Sequence, residues 1–358
     1  MSPNPDMLRL ARQLKGFQQT EAAKRLEIDQ SLLSRMENGV SEIREDVLMR
    51  AGAVYEVRRS FFFQTDPIYG APVSVHPMWR RKADVTARDL DSIVAEMNVR
   101  IMHLRRFLEA ADVAKANDLP RLDIEDYGDA EEIAALVRAH WQVPRGPIQD
   151  LTVLVERAGV LVVHSDMSGA AVSGVTFSAP GMPPLIVLNS NQPADRMRFT
   201  LAHELAHLVM HRFPTADMES EANAFASALL MPASDIRPLL QSRRLDLSLL
   251  AALKPEWKVS MQSVIIRAKS LGLVNRNQEE YLWKQMSARK WRLREPPELD
   301  FPHEKPSVVL NLVKIFREHL GYSSEEMTTL LHIFEGRFHA YYPPVETPRD
   351  RPKFSIVG

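Results

Sequence analysis

Cysteine is absent from this chain of 358 residues. That removes disulfides, thiol nucleophiles and Cys-based zinc sites together. Charge of one sign is also lacking: 45 Lys and Arg against 46 Asp and Glu leave a net of -1. The chain as a whole therefore offers neither a polyanion nor a membrane surface an electrostatic target. No apolar run approaches the length of a membrane-spanning helix. The start, Met1-Ser2-Pro3-Asn4-Pro5-Asp6, has neither a basic region nor an apolar core of the secretory kind. These absences lead us to expect a cytoplasmic protein. A hydrophobic content of 45% can build sizeable cores, and the length suggests two or three domains.

Thr200-Leu201-Ala202-His203-Glu204-Leu205-Ala206-His207 is the richest stretch. Read as a helix, it projects His203 and His207 from one face a single turn apart. Two neutral imidazoles so spaced can hold one divalent ion, while Glu204 reaches a water beside it as a general base. A plainer reading is a helix carrying two satisfied histidines.

A catalytic zinc site needs a third protein ligand. Downstream lies the Ala-rich segment Glu221-Ala222-Asn223-Ala224-Phe225-Ala226-Ser227-Ala228-Leu229-Leu230-Met231-Pro232, a helix that stops at its proline. A helical hairpin turning near His211-Arg212-Phe213-Pro214 brings an acidic residue opposite the histidines. Glu219 competes for that place, and Glu221 is preferred because Ala222 and Ala226 let the two backbones approach. Zinc suits two histidines and a carboxylate, and manganese or iron fits the same donors.

Together, Arg198-Phe199-Thr200 through His211 and the Glu-Ala-Asn-x-Phe-Ala-x-x-Leu-Leu-Met-Pro run resemble the ImmA/IrrE metallopeptidase family. Trp141 to Ile148, Leu154 to Val160 and the short strand Pro184 to Asn189 extend the resemblance upstream. It implies a core similar to thermolysin-like zinc peptidases. By position, His203, His207 and Glu221 would be ligands and Glu204 the general base. It also implies a protein substrate, since some members cleave helix-turn-helix repressors. His164 and His211 are spare histidines nearby, with no role assigned.

The N-terminus carries a separate signal. Gln18 to Leu26 reads as a short helix, Asp29 can cap the next, and Gln30 to Glu37 is that next helix, ending at Asn38-Gly39. The segment resembles phage-repressor-type helix-turn-helix domains over about residues 6 to 60. The resemblance makes Gln30, Ser31 and Arg35 base-reading positions, Gln19 a phosphate neighbour that supports Gln30, and Asn38 a phosphate contact. Leu32, Leu33 and Met36 read as core. Residues 1–65 hold 10 Lys and Arg against 9 Asp and Glu, a net of +1, so no strong basic footprint marks them. Affinity for a double-stranded operator would rest on a few side chains and on homodimerisation.

Asp66 to Pro77 is a Pro-punctuated linker, followed by the small basic cluster Trp79-Arg80-Arg81-Lys82. The Phe61-Phe62-Phe63 triplet is expected to pack against the repressor-like bundle. From Val85 to about Ala114, Leu90, Ile93, Val94, Met97, Ile101, Leu104 and Leu108 form a helical stripe. Residues 150–190 are the β-rich part, where Ala170 to Phe177 or Leu185 to Leu188 offers a strand edge for an extended peptide. Beyond Pro232 the chain is helical, and Arg349 to Gly358 reads as a loose tail.

The fold class expected is α+β, mostly α: a five-helix repressor-like bundle, a gluzincin-like core with a small sheet, and a helical C-terminal region. The domains expected are 1–65 for DNA binding, 66–120 for linker and long helix, 121–235 for the peptidase core and 236–358 for the extension. Two functions compete: a DNA-binding regulator with a working endopeptidase, or a transcription factor whose peptidase-like domain senses metal or ligand. Glu204 favours the first, since a sensor needs no general base.

Overall fold

Pro5 and Gln19 open the first helices of a computed structural model that describes residues 2–70, 86–111, 113, 115–167, 172–242 and 244–343. The basic cluster at 79–82, Ala170, Ala171 and the tail 349–358 lie outside the described residues. Two compact units emerge. One contains the chain up to Ala11, Gln19–Thr65 and the described residues from Leu310 onward. The other contains Arg12–Gln18 and Asp66–Val309.

In the first unit, helices α1 (Pro5–Leu14), α2 (Gln19–Arg25), α3 (Gln30–Glu37) and α4 (Glu45–Tyr55) precede a short 3-10 turn at Arg59–Phe63. That short 3-10 helix is the fifth helix of the bundle. Apolar residues at helical spacing supply the core: Leu8, Ala22, Ala23, Leu26, Leu33, Met36, Val47 and Leu48 are buried. Phe61 and Phe62 are buried edge to face, at 6.1 Å between ring centroids, while Arg59 covers Phe63. Asp29 holds the N-cap position of α3 with extended backbone, yet its side chain accepts no cap hydrogen bond, contrary to expectation. The helix stops as its sequence dictates, with Gly39 in the left-handed region at φ +69°.

The chain from Leu310 completes this unit. Helix α15 (Val308–Lys314) runs into a π turn (Ile315–His319), then α16 (Ser324–Leu330) and α17 (Glu335–Tyr341) follow. Ile333 bridges Val57 in antiparallel fashion, and the Arg58 guanidinium donates to the Ile333 carbonyl (3.1 Å) and the Thr328 hydroxyl (2.8 Å). Met327, Leu331, Ile333 and Phe338 are buried. Residues 236–358 thus do not form one extension: the stretch up to Val309 belongs to the second unit and the rest to the first.

The second unit opens with α5 (Ala87–Ala110), started by a Thr86–Asp89 capping box, with Ile93, Met97, Ile101 and Leu104 of the stripe buried. Next come α6 (Ile124–Tyr127), α7 (Ala130–His140) behind an Asp129–Glu132 capping box, and α8 (Leu151–Arg157) capped by Asp150. Strands β1 (Leu161–Ser165), β2 (Gly174–Phe177) and β3 (Leu185–Asn189) form a sheet in the order β1-β3-β2. β3 is parallel to β1 and antiparallel to β2. It is fully buried, as its unbroken apolar run requires.

Helix α9 (Ala194–Met210) packs against β2 and β3 of the sheet and on α10 (Met218–Leu230), which in turn packs on α7. Helices α11 (Ala233–Gln241), α12 (Leu247–Trp257), α13 (Met261–Ser270) and α14 (Arg276–Ala288) follow. The last carbonyls of α10, which no helical N–H can reach, are met by buried guanidinium groups. Arg138 donates to Leu229 O (2.8 Å) and Arg267 to Met231 O (2.9 Å). At the same end of this antiparallel pair, buried Lys254 joins Asp195 in the first turn of α9 to Glu295. Removing one partner of such a pair leaves an uncompensated buried charge and is strongly destabilising, although the cost of desolvating both ions keeps the net contribution of the intact pair small.

Candidate metal centre and nucleic-acid interface

Helix periodicity places His203 and His207 on one face of α9, and their Nε2 atoms stand 3.2 Å apart. Each lies 3.5 Å from a carboxylate oxygen of Glu219. The three donor atoms fall within 4.8 Å of one another. The expected third residue, Glu221, faces elsewhere: its carboxylate is 3.1 Å from His211 Nε2. The reason lies in the spacing itself. Ala222 and Ala226 are the close-approach residues, and the positions sharing their face are three and four away, which selects Glu219. Glu221, two residues along, is rotated by roughly 200°.

This donor set fits a divalent cation. Among the described residues Glu219 Oε1 is buried without a hydrogen-bond partner, beside two imidazole nitrogens 3.2 Å apart. A bare oxygen and two ring nitrogens converging in this way suit zinc, with manganese as an alternative. Burial pushes His207 down to about 2, helped by the neighbouring His203 and His211. For His203 burial also opposes charge, but hydrogen bonding to Glu219 and the charges of Glu204 and Glu219 outweigh it, so its pKa is raised.

Other side chains orient the centre. Asn223, one turn beyond Glu219 on α10, sets its Oδ1 3.2 Å from His203 Nδ1 and donates Nδ2 to the Glu219 carbonyl at 2.7 Å. His211 Nδ1 lies 2.9 Å from His207 Nδ1. Glu204 is buried, and Thr176 Oγ1 of β2 sits 2.7 Å from its Oε2. Neither Asn223 nor Thr176 was singled out from the sequence. The i, i+4 spacing of Asn223 from Glu219 was an available signal, whereas Thr176 needed the sheet.

β2 reaches α9 because residue 174 is glycine. A Cβ there would come within 2.6 Å of Thr200 Cγ2. Of the two proposed strand edges, Leu185–Leu188 is ruled out, since β3 is the central strand with partners on both sides. Among the described residues β2 pairs only with β3.

In the first unit, Gln30 Nε2 donates to Gln19 Oε1 at 2.8 Å, and Gln19 donates to the buried Glu37 at 2.9 Å. Gln30, Ser31 and Arg35 are exposed along α3, while Leu33 and Met36 turn inward. Leu32 is half-buried. Asn38 donates to Ser34 O and its Oδ1 accepts from Arg9, 3.1 Å away. A short, exposed second helix with its first residue braced from the preceding helix is the geometry that enters a major groove.

Two family profiles match. A helix-turn-helix profile covers residues 8–62, and that of the IrrE N-terminal-like domain, a peptidase family, covers 155–269. The chain is a fusion of these two modules. No curated protein matches it. The IrrE-like region runs from within α8 into α13, so it takes in α9, α10 and the whole centre, and passes beyond residue 235, where the peptidase core was expected to end. With the helix-turn-helix, it makes the protein a DNA-binding regulator with a metallopeptidase-like domain. Among the described residues no helix is long and apolar enough to cross a membrane.

Proposed function

We propose that the protein is a transcriptional regulator whose IrrE-like domain is a zinc-dependent endopeptidase, acting on a helix-turn-helix repressor or on its own chain. The observation carrying this reading is Glu204, a buried carboxylate next to the convergence of His203, His207 and Glu219. A metal sensor has no use for a base in that place. When bound, the cation would supply Lewis acidity to a water and to the scissile carbonyl. Glu204 would take the proton from the attacking water and return it to the leaving amine. The outer edge of β2 would receive the substrate as an added extended strand, next to α9. The DNA reader would act at a double-stranded operator, as a homodimer, through Gln30, Ser31 and Arg35.

Co-expression with a helix-turn-helix repressor tests the reading. Cleavage of that repressor, or of the chain itself, should occur with the native sequence and stop with Glu204→Gln, while bound zinc measured by elemental analysis is retained. Equal cleavage by both would overturn the catalytic role of Glu204. Zinc bound without any cleavage in either would favour the sensor.

A further inference from the structure

His211 and Glu221 stand behind the centre in a line that ends on His207. The Glu221 carboxylate meets His211 Nε2 at 3.1 Å, and His211 Nδ1 meets His207 Nδ1 at 2.9 Å. Nε2 of His207 then faces His203 and Glu219. Only 4% of the His211 side chain is exposed, and its backbone N–H closes onto the His207 carbonyl at 3.2 Å, so the ring is held at the end of α9.

Proton accounting along this line leaves one arrangement. An ionised carboxylate only accepts, so His211 Nε2 must carry the hydrogen that it donates to Glu221. A neutral His211 then has a bare Nδ1. The 2.9 Å contact therefore requires His207 to donate from Nδ1. His207 Nε2 is left as a bare lone pair aimed at the convergence with His203 and Glu219. The opposite tautomer would place a hydrogen where a cation must bind and set two lone pairs against each other.

We infer that His211, held by Glu221, is a positioning residue that fixes the tautomer and ring orientation of His207 for cation binding. The two carboxylates of α10 thereby divide the work: Glu219 faces the cation and Glu221 orients a ligand from behind. The inference rests on the reading of His203, His207 and Glu219 as a cation site.

The test is zinc affinity of the full chain, by competition with a chromophoric chelator, together with the visible spectrum of the cobalt-loaded protein. His211→Leu should weaken zinc binding about 10- to 100-fold, keep one cation per chain and alter the cobalt spectrum. Glu221→Leu should weaken it less, and Glu221→Gln should restore most of the affinity, because its amide oxygen accepts the same hydrogen bond. The double variant His211→Leu/Glu221→Leu should be no weaker than His211→Leu alone. Should His211→Leu fail to fold, the pair Glu221→Leu and Glu221→Gln carries the same comparison. Unchanged zinc affinity in folded His211→Leu would overturn the inference, as would complete loss of zinc in Glu221→Gln, the mark of a direct ligand. Failure of the underlying cation site looks different: the native chain would bind no zinc, or Glu219→Gln would bind it as well as the native chain does.

Discussion

Thr176 Oγ1 lies 2.7 Å from Oε2 of Glu204, and Gly174, two residues earlier on β2, lies against Thr200, four residues earlier on α9. Two residues of a strand advance about 6.7 Å and four of a helix about 6 Å, so the two elements meet in step at both points. The strand thereby delivers a hydroxyl to the carboxylate proposed as the general base. Thr176→Val keeps the shape and removes the donor. A hydrogen bond to an ionised group contributes about 1.5–3 kcal/mol, so the carboxyl should become easier to protonate. We expect the acid limb of the pH–rate profile to move up by about one unit, with zinc content unchanged and Thr176→Ser close to native. An unmoved acid limb would remove Thr176 from the mechanism.

Residues 1–65 carry a net charge of only +1, so operator affinity in the proposed function would rest on few side chains. Arg35 is exposed on α3, and its guanidinium makes no hydrogen bond among the described residues. Arg35→Ala should weaken operator binding by about 1–3 kcal/mol, roughly 5- to 150-fold, without altering zinc content. Gln19→Ala should cost affinity as well, because it removes the acceptor that braces Gln30. Gel shifts at one fixed salt concentration decide both. Equal affinity in Arg35→Ala would exclude it from base reading.

Ile333 belongs to the folded DNA-binding unit, far from it in sequence: it is fully buried and bridges Val57. Truncating a buried Ile to Ala costs about 2–5 kcal/mol. Ile333→Ala should therefore lower the unfolding temperature of the helix-turn-helix unit by several degrees and leave the zinc affinity of the IrrE-like unit unchanged. Arg58→Ala, which removes two hydrogen bonds to the same segment, should act in the same direction but more weakly. Unaltered melting of the DNA-binding unit in Ile333→Ala would show that this cover contributes nothing to its stability.

Local chemistry made much of this legible. His-Glu-x-x-His places two imidazoles on one helix face with a carboxylate beside them by helix periodicity alone, and Asn38-Gly39 ends α3 through the conformational freedom of glycine. What escaped depends on neighbours distant in the chain. Choosing between Glu219 and Glu221 required knowing which face of α10 meets α9; the alanines had been credited to Glu221, whereas the carboxylate they bring beside the two histidines is that of Glu219. The pairing of β3 on both sides, which excludes it as a substrate edge, cannot be read from an apolar run, because central and edge strands are written alike. The return of residues 310–343 to the N-terminal unit is a long-range event with no local signature.

His164 supplies a test of pH dependence that is independent of the centre. Burial on β1, with a smaller contribution from the charge of His303, pushes its pKa from 6.5 down to about 4. The folded protein therefore keeps His164 neutral where the unfolded chain already holds a proton. Between pH 6.5 and 4 the unfolded state binds more protons, so stability falls as pH falls, and the loss levels off below the folded pKa. Complete expression of that shift would amount to up to about 3 kcal/mol. His164→Gln does not titrate, so its stability should decline less steeply over the same range by as much as one proton's worth of slope. Thermal unfolding of both proteins at half-unit intervals from pH 7 to 4 measures the difference. Parallel curves would mean that the imidazole takes up its proton within the fold, and that β1 does not hold it away from water.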